Sequence, residues 1–217
     1  MGQVPDGSAA ELCTSLQNQA DSLKSLDDKL DLVLLHAHAR RVQALCEKQG
    51  VKSAKTRGVQ PGYYDLPLER RMEILDAPST AHLCKSIVME NKAWSGESGF
   101  GDPNNCRFYV IIVQYVAKLH SEKLAKLVRS WTPGAPGSKY NFQLTSSEVS
   151  YELTGYRHNA VVPVGMRVDI PIILSHQIKE LSPSFLWLGG GHPDLKLGMP
   201  VQQLIDCLGA RVADVTY

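Results

Sequence analysis

Phe185-Leu186-Trp187-Leu188-Gly189-Gly190-Gly191-His192-Pro193-Asp194-Leu195-Lys196-Leu197-Gly198 is the stretch from which the fold is read. Its four opening apolar residues form a short continuous run of the kind that suits a buried strand. Three successive glycines then end the run. Each costs backbone entropy, so their presence points to positive φ or to a close approach by other atoms. Leu195, Lys196 and Leu197 resume with the alternation of a half-buried strand. The stretch therefore reads as strand, tight turn with open amides, and strand, with His192 at the rim. Such a rim either receives a small polar group or is a plain hairpin turn with an exposed histidine.

Downstream, Pro200 opens a last helix running through Leu208, since proline suits a first helical turn. Upstream, Arg107 to Tyr115 is the strongest strand of the chain, β-branched and aromatic nearly throughout. Leu83 to Met89 is a second strand carrying Lys85 in an apolar setting, and Pro171 to Leu174 a third. Between the first two, Trp94 to Asn105 has the composition of a surface excursion. Asp65 to Leu75 reads as a short helix, and Ser121 to Trp131 as another with Ser121 at its cap. Thr145 to Thr154 reads as a helix with capping residues at its start and Gly155 as its stop. Val161 to Gly165 is a loop or a kinked strand, because Pro163 is barred from a central ladder. Helices and strands mix without βαβ regularity, which predicts an α+β fold with a mixed sheet curled against helices.

The 217 residues, 43% hydrophobic and 21% charged, suffice for one well-cored domain and an appendage. The appendage is N-terminal. Ala9 to Gln49 lacks proline and glycine, and Leu12, Leu16, Leu23, Leu26, Leu30 and Val33 fall on heptad-like steps. One long helix, or two joined near Ser25–Asp28, would end at Gly50. Its apolar stripe must pack on the main domain, a second copy or another protein. His36 and His38 point apart on a helix and make no metal pair.

A net charge of +1 gives no global basic field, so nucleic-acid contact would rest on local patches such as Lys52–Arg57 or Lys118–Arg129. Lys52 to Arg57 is read as a basic loop, a phosphate contact or a solvated linker. The five cysteines are scattered without zinc spacing and read as reduced thiols. The N-terminal residues lack the blocks of a signal peptide, and no apolar run suits a membrane span, so a soluble cytoplasmic protein is expected.

Phosphate-binding P-loop, dinucleotide, nucleophile-elbow and HExxH patterns are all missing. What remains is Lys85, the proline–glycine loop and the Gly-Gly-Gly-His turn. A strand lysine either faces solvent or, at a pocket wall, clamps a phosphate or carboxylate. In combination these segments look familiar. His82-Leu83-Cys84-Lys85-Ser86-Ile87-Val88 resembles the lysine strand of the YbaK/prolyl-tRNA-synthetase-associated editing domains. Ser146–Leu153, Thr154-Gly155 and Val162-Pro163-Val164-Gly165 resemble their helix and following glycine–proline segment. Gly189-Gly190-Gly191-His192 and Pro200–Leu204 resemble their C-terminal end. The resemblance covers about Ala81 to Leu208, with the three motifs in order. The N-terminal helical region and the insert around Gly96–Asn105 lie outside it and resemble the additions of a eukaryotic free-standing member.

The resemblance implies a helical extension over residues 1–50 and an editing domain over 51–217. It implies hydrolysis of the ester of mischarged aminoacyl-tRNA in trans, with no metal or cofactor and no protein nucleophile. Lys85 would bind the phosphate of the terminal adenosine. The loop Asn159, Ala160, Val161, Val162 and Pro163, with Thr154 before it and Gly165 after it, would shape the amino-acid pocket. Gly190, Gly191 and His192 would fix the aminoacyl group. The first position of the family's G-x-x-x-P loop carries Asn159 here. Implied partners are the acceptor end of aminoacyl-tRNA, an aminoacyl-tRNA synthetase and a second copy of the chain. A non-catalytic binding module on the same fold, and a helix-mediated interaction protein, are the alternatives.

Overall fold

The computed structural model describes residues 7–96, 100 and 102–217, with side chains from Leu12 onward. Part of the Trp94–Asn105 excursion and the residues before Gly7 lie outside the described residues. The chain forms two compact units, one ending at Ala37 and the other spanning His38–Tyr217.

The first unit is helical. Helix α1 runs unbroken through Gly7–Lys48, with no joint near Ser25–Asp28, and crosses into the second unit. Its heptad-like residues Leu12, Leu16, Leu23, Leu26, Leu30 and Val33 are 56–63% exposed. The helix's last turns belong to the second unit, where Val42 and Cys46 are buried in the largest core cluster. The Val51 amide closes the helix on the Cys46 carbonyl at 2.8 Å.

The second unit is α+β and contains two sheets. The smaller is antiparallel, with β1 (Lys55–Gly58) and β6 (Phe185–Gly189) on either side of β7 (Leu195–Pro200). The larger is mixed and ordered β4 (Phe142–Leu144), β2 (Cys84–Asn91), β3 (Phe108–Gln114), β5 (Ile172–Ser175), β8 (Arg211–Ala213). Its β4–β2–β3 part is antiparallel, whereas β5 runs parallel to both β3 and β8. The single curled sheet expected from the sequence is thus two sheets, linked where Leu83 bridges to Trp187.

Every residue of β3 is buried. Val110 and Ile112 face the cluster holding Val42 and Cys46, while Tyr109, Ile111 and Val113 face Leu124 and Val128 of α3 (Ser121–Ser130). A strand covered on both faces has no need of polar alternation, which explains its continuous apolar run.

Several boundaries differ from the sequence reading. Lys52–Arg57 is not all loop: Lys55–Gly58 forms the edge strand β1, its side chains mostly exposed. The expected helix from Asp65 begins only at Leu68 as α2 (Leu68–Leu75), after a 3-10 turn over Tyr63–Asp65. Pro67 occupies the cap position there, where its missing N–H costs nothing. Ser121 is the first helical residue of α3 and His120 its cap. The helix α4 (Ser147–Thr154) is capped by Ser146, whose hydroxyl accepts the Val149 amide at 3.3 Å, and stops at Gly155 as expected. Pro200 ends β7 and caps the helix Val201–Leu208 rather than entering it. The short elements β4, β8 and His176–Lys179 carry too few residues for a periodic signal.

Candidate functional site

The hairpin that anchors the sequence reading is built as expected, with β6 and β7 paired from Phe185–Pro200 to Gly189–Lys196. Gly191 has φ +86, a conformation that side-chain-bearing residues rarely adopt. Gly189 meets the other requirement. A Cβ there would lie 2.7 Å from the Val161 carbonyl oxygen, because the 159–163 loop packs directly against the strand. The Gly191 amide completes the seam by donating to the Ala160 carbonyl at 3.0 Å.

This seam forms one wall of a cleft of about 330 Å³. Strand β2 contributes Lys85, Ser86, Ile87 and Val88 to the lining. A hydroxyl-rich corner of Thr145, Ser146, Ser147 and Ser150 comes from the start of α4, and Tyr64 and Tyr115 close the cleft. The Thr145 hydroxyl donates to the Val88 carbonyl at 3.1 Å and ties this corner to β2.

Among the residues singled out in the sequence, Lys85, Asn159 and Val161 line the cleft, joined by Gly189. Lys85 is half-buried, its ammonium 5.6 Å from the centre of the Tyr115 ring, and it forms no ion pair among the described residues. Asn159 sits in the left-handed region with φ 63, and its carbonyl accepts the Tyr64 hydroxyl at 2.7 Å.

The other residues of the set lie behind the cleft. Ala160, Val162 and Pro163 are buried in the core beneath the loop. Thr154 is also buried, its hydroxyl donating to the Ser150 carbonyl at 2.7 Å and accepting the Tyr156 amide at 3.1 Å. Gly165 packs on Leu45 of α1. Gly190 is buried in the hairpin turn, with the Leu195 carbonyl against it. His192 lies on the outer side of the turn. Its Nδ1 accepts the Asp194 amide at 3.1 Å, and its ring is 5.3 Å from that of His38. Burial, then His192 and Arg41, hold the His38 pKa below the ordinary histidine value.

Sequence reasoning missed the layer beneath the cleft. Tyr64 lies on the 3-10 turn before α2, and Lys196 on β7 is only 3% exposed. The Lys196 ammonium donates to the Tyr64 hydroxyl at 2.9 Å and to the Pro193 carbonyl at 2.6 Å, over the rings of Tyr63 and Tyr64. Burial pushes its pKa down to about 7, with Asp194 opposing and Arg71 reinforcing the shift. The usable signals were the paired tyrosines after Pro61-Gly62 and a lysine between two leucines. Of the thiols near the site, Cys84 is buried and its pKa is driven upward, which makes it a poor nucleophile. No group of three or more His, Cys, Asp or Glu among the described residues is arranged to hold a metal ion.

The second unit thus defines an α+β protein with two linked sheets and a cleft between a lysine strand and a glycine-backed loop. That fold is found in solved structures. One described as "a putative trans-editing enzyme for prolyl tRNA synthetase" superposes with a TM-score of 0.65 at 22% identity, covering 83% of this chain and 97% of that one. A hypothetical protein matches with a TM-score of 0.61 at 19% identity, covering 81% and 99%. A scaffold from computational epitope grafting gives 0.64 at 20% identity, covering 83% and 97%. No family model and no curated protein matches the chain in sequence. The chain has the YbaK-like fold that its motifs resemble.

Proposed function

We propose that the chain is a free-standing aminoacyl-tRNA deacylase that hydrolyses the ester of mischarged tRNA in trans. The observation that carries this reading is the cleft itself, about 330 Å³ and lined by Lys85 together with Asn159 and Val161 of the loop. An unpaired lysine ammonium at a cleft wall is a ready contact for the phosphate of the terminal adenosine. The loop holds the ester, and a water positioned in the cleft attacks its carbonyl carbon. The tetrahedral oxyanion is met by preorganised backbone amides, and the tRNA's own ribose hydroxyl assists the water. The Ala160 and Gly191 amides are engaged by the Arg157 and Ala160 carbonyls, so the oxyanion donors are other amides of the loop.

In this reading residues 51–217 are the editing domain of a cytoplasmic protein. Residues 1–50 are a helical extension that meets a second copy or an aminoacyl-tRNA synthetase. Thr154, Val162, Pro163, Gly165 and Gly190 shape the pocket from behind, and Gly191 and His192 act through the hairpin turn that backs the loop. No helix among the described residues is long and apolar enough to cross a membrane. A non-catalytic module that binds acceptor ends is the second reading, favoured by Asn159, whose side chain stands at the cleft where the family pattern has glycine.

The test is amino-acid release from a panel of mischarged tRNAs, with Lys85→Ala alongside. Turnover of one or two small esters is expected, with kcat/KM falling about tenfold to a hundredfold in the variant, the scale of losing one hydrogen bond to a charged phosphate. Equal turnover in the variant would remove Lys85 from the site. A flat panel with retained tRNA binding selects the non-catalytic module.

A further inference from the structure

We propose that Lys196 is a positioning residue for this site: through Tyr64 it holds the Asn159 carbonyl and so fixes the loop that forms the cleft wall. The proposal rests on the deacylase reading for its functional consequence but not for its geometry. The links run in one unbroken series. Pro193 anchors the ammonium at 2.6 Å, the ammonium donates to the Tyr64 hydroxyl at 2.9 Å, and Tyr64 donates to Asn159 at 2.7 Å. Beyond Asn159, the Ala160 carbonyl receives the Gly191 amide at 3.0 Å, which returns the series to the hairpin that carries Lys196.

The direction of these bonds depends on the charge of the lysine. An ammonium has donors and no acceptor, so the Tyr64 hydrogen points away from it, and the Asn159 carbonyl at 2.7 Å receives it. A neutral amine has a lone pair that competes for that hydrogen, and Asn159 then loses its donor. Burial and the neighbouring Tyr115 push the Tyr64 pKa up and keep the phenol protonated. The groups around the ammonium are Asp194 in the turn, Arg71 on α2, Cys84 on β2, and Tyr63, Tyr64 and Tyr115, while Arg57, its backbone partner on β1, is exposed. Asp194 is the carboxylate among them, and no salt bridge to Lys196 forms among the described residues. The ammonium is therefore marginal, with a pKa of about 7, and the loop is latched on the acid side of that value.

The experiment is amide hydrogen exchange on the full chain, read at Gly191 and corrected for the intrinsic pH dependence. Tyr64→Phe and Lys196→Met should each lower Gly191 protection about tenfold, one hydrogen bond's worth, and the double variant should lose no more than either alone. Wild-type protection should fall as pH rises through about 7. Lys196→Arg, a donor that stays charged, should keep its protection at every pH, and Lys196→Met should show no pH step. Deacylation measured in parallel should show a raised KM with kcat largely kept. Unchanged Gly191 protection in both Tyr64→Phe and Lys196→Met overturns the proposal. A wild type that deacylates nothing would sink the deacylase reading alone, since the exchange result stands without it.

Discussion

Each sheet of the second unit carries one lysine in an apolar strand, and the two lysines occupy opposite situations. Lys85 on the five-stranded sheet opens into the cleft, half-buried and without an ion pair among the described residues. Lys196 on the three-stranded sheet is sealed beneath the same cleft, hydrogen-bonded yet without a carboxylate partner. The larger sheet gains stability from covering both faces of β3, while its neighbour β2 carries Lys85 at the cleft. The smaller sheet accepts a buried cation in exchange for an ordered loop. Stability and function are thus allotted to different strands.

The sharpest way to break this contrast is at the centre of the larger sheet. Ile111→Ala should cost about 2–5 kcal/mol in denaturant unfolding, because a fully buried side chain leaves a cavity between β3 and α3. At the smaller sheet the sign should reverse: Lys196→Met should stabilise the protein by about 1–4 kcal/mol at or below neutral pH, as when other buried charges are replaced. The folded pKa of Lys196 is depressed to about 7 from an ordinary 10.5, so the unfolded chain holds the extra proton between those values. Wild-type stability then falls as pH drops from 10.5 to 7, and the variant's advantage, followed by Tm, should shrink as pH rises across that window. A Tm lowered at pH 6 would mean that the ammonium supports the sheet rather than strains it.

A smaller effect is expected from Glu90, the buried carboxylate of the larger sheet, which is paired with Arg107 and Lys92. Burial alone would raise its pKa, but hydrogen bonds from Lys92 and Arg107 outweigh burial and hold it below the usual value. Its contribution is present above the unfolded carboxylate pKa and is lost as pH falls through the depressed folded one. Glu90→Gln should therefore cost about 1–3 kcal/mol at pH 7 and flatten the acid limb of the Tm profile. The smallest change is expected from Asn159→Gly, within about 0.5 kcal/mol, since asparagine already tolerates the left-handed backbone that glycine adopts freely. Under the deacylase proposal its effect would fall on substrate choice, read as a change in which esters are hydrolysed.

The features legible in the sequence are those with a local chemical cause. The 185–200 hairpin was legible because its glycines sit where φ is positive or another backbone presses close, and β3 because its apolar run is unbroken. Lys196 was not. Alternation placed it outward beside Leu195 and Leu197, but Tyr63 and Tyr64, contributed from far along the chain, cover that face. The edge strand β1 was hidden for a related reason, since its pairing with Leu195–Gly198 leaves exposed basic side chains that look like a loop. The helix α1 was legible as a helix, but the burial of Val42 and Cys46 at its end has no counterpart in its heptad-like pattern.

The pairing of β1 with β7 has a kinetic meaning. It joins Lys55–Gly58 to Leu195–Gly198, segments separated by most of the unit, so the smaller sheet closes only after a large loop has been gathered. Contacts of such sequence separation carry a larger loop-closure cost than the β2–β3 pairing and are expected to form after it. Tyr64 and Asn159 likewise meet across 95 residues. The cleft is thus built from contacts that close large loops, and it should be among the last parts to assemble.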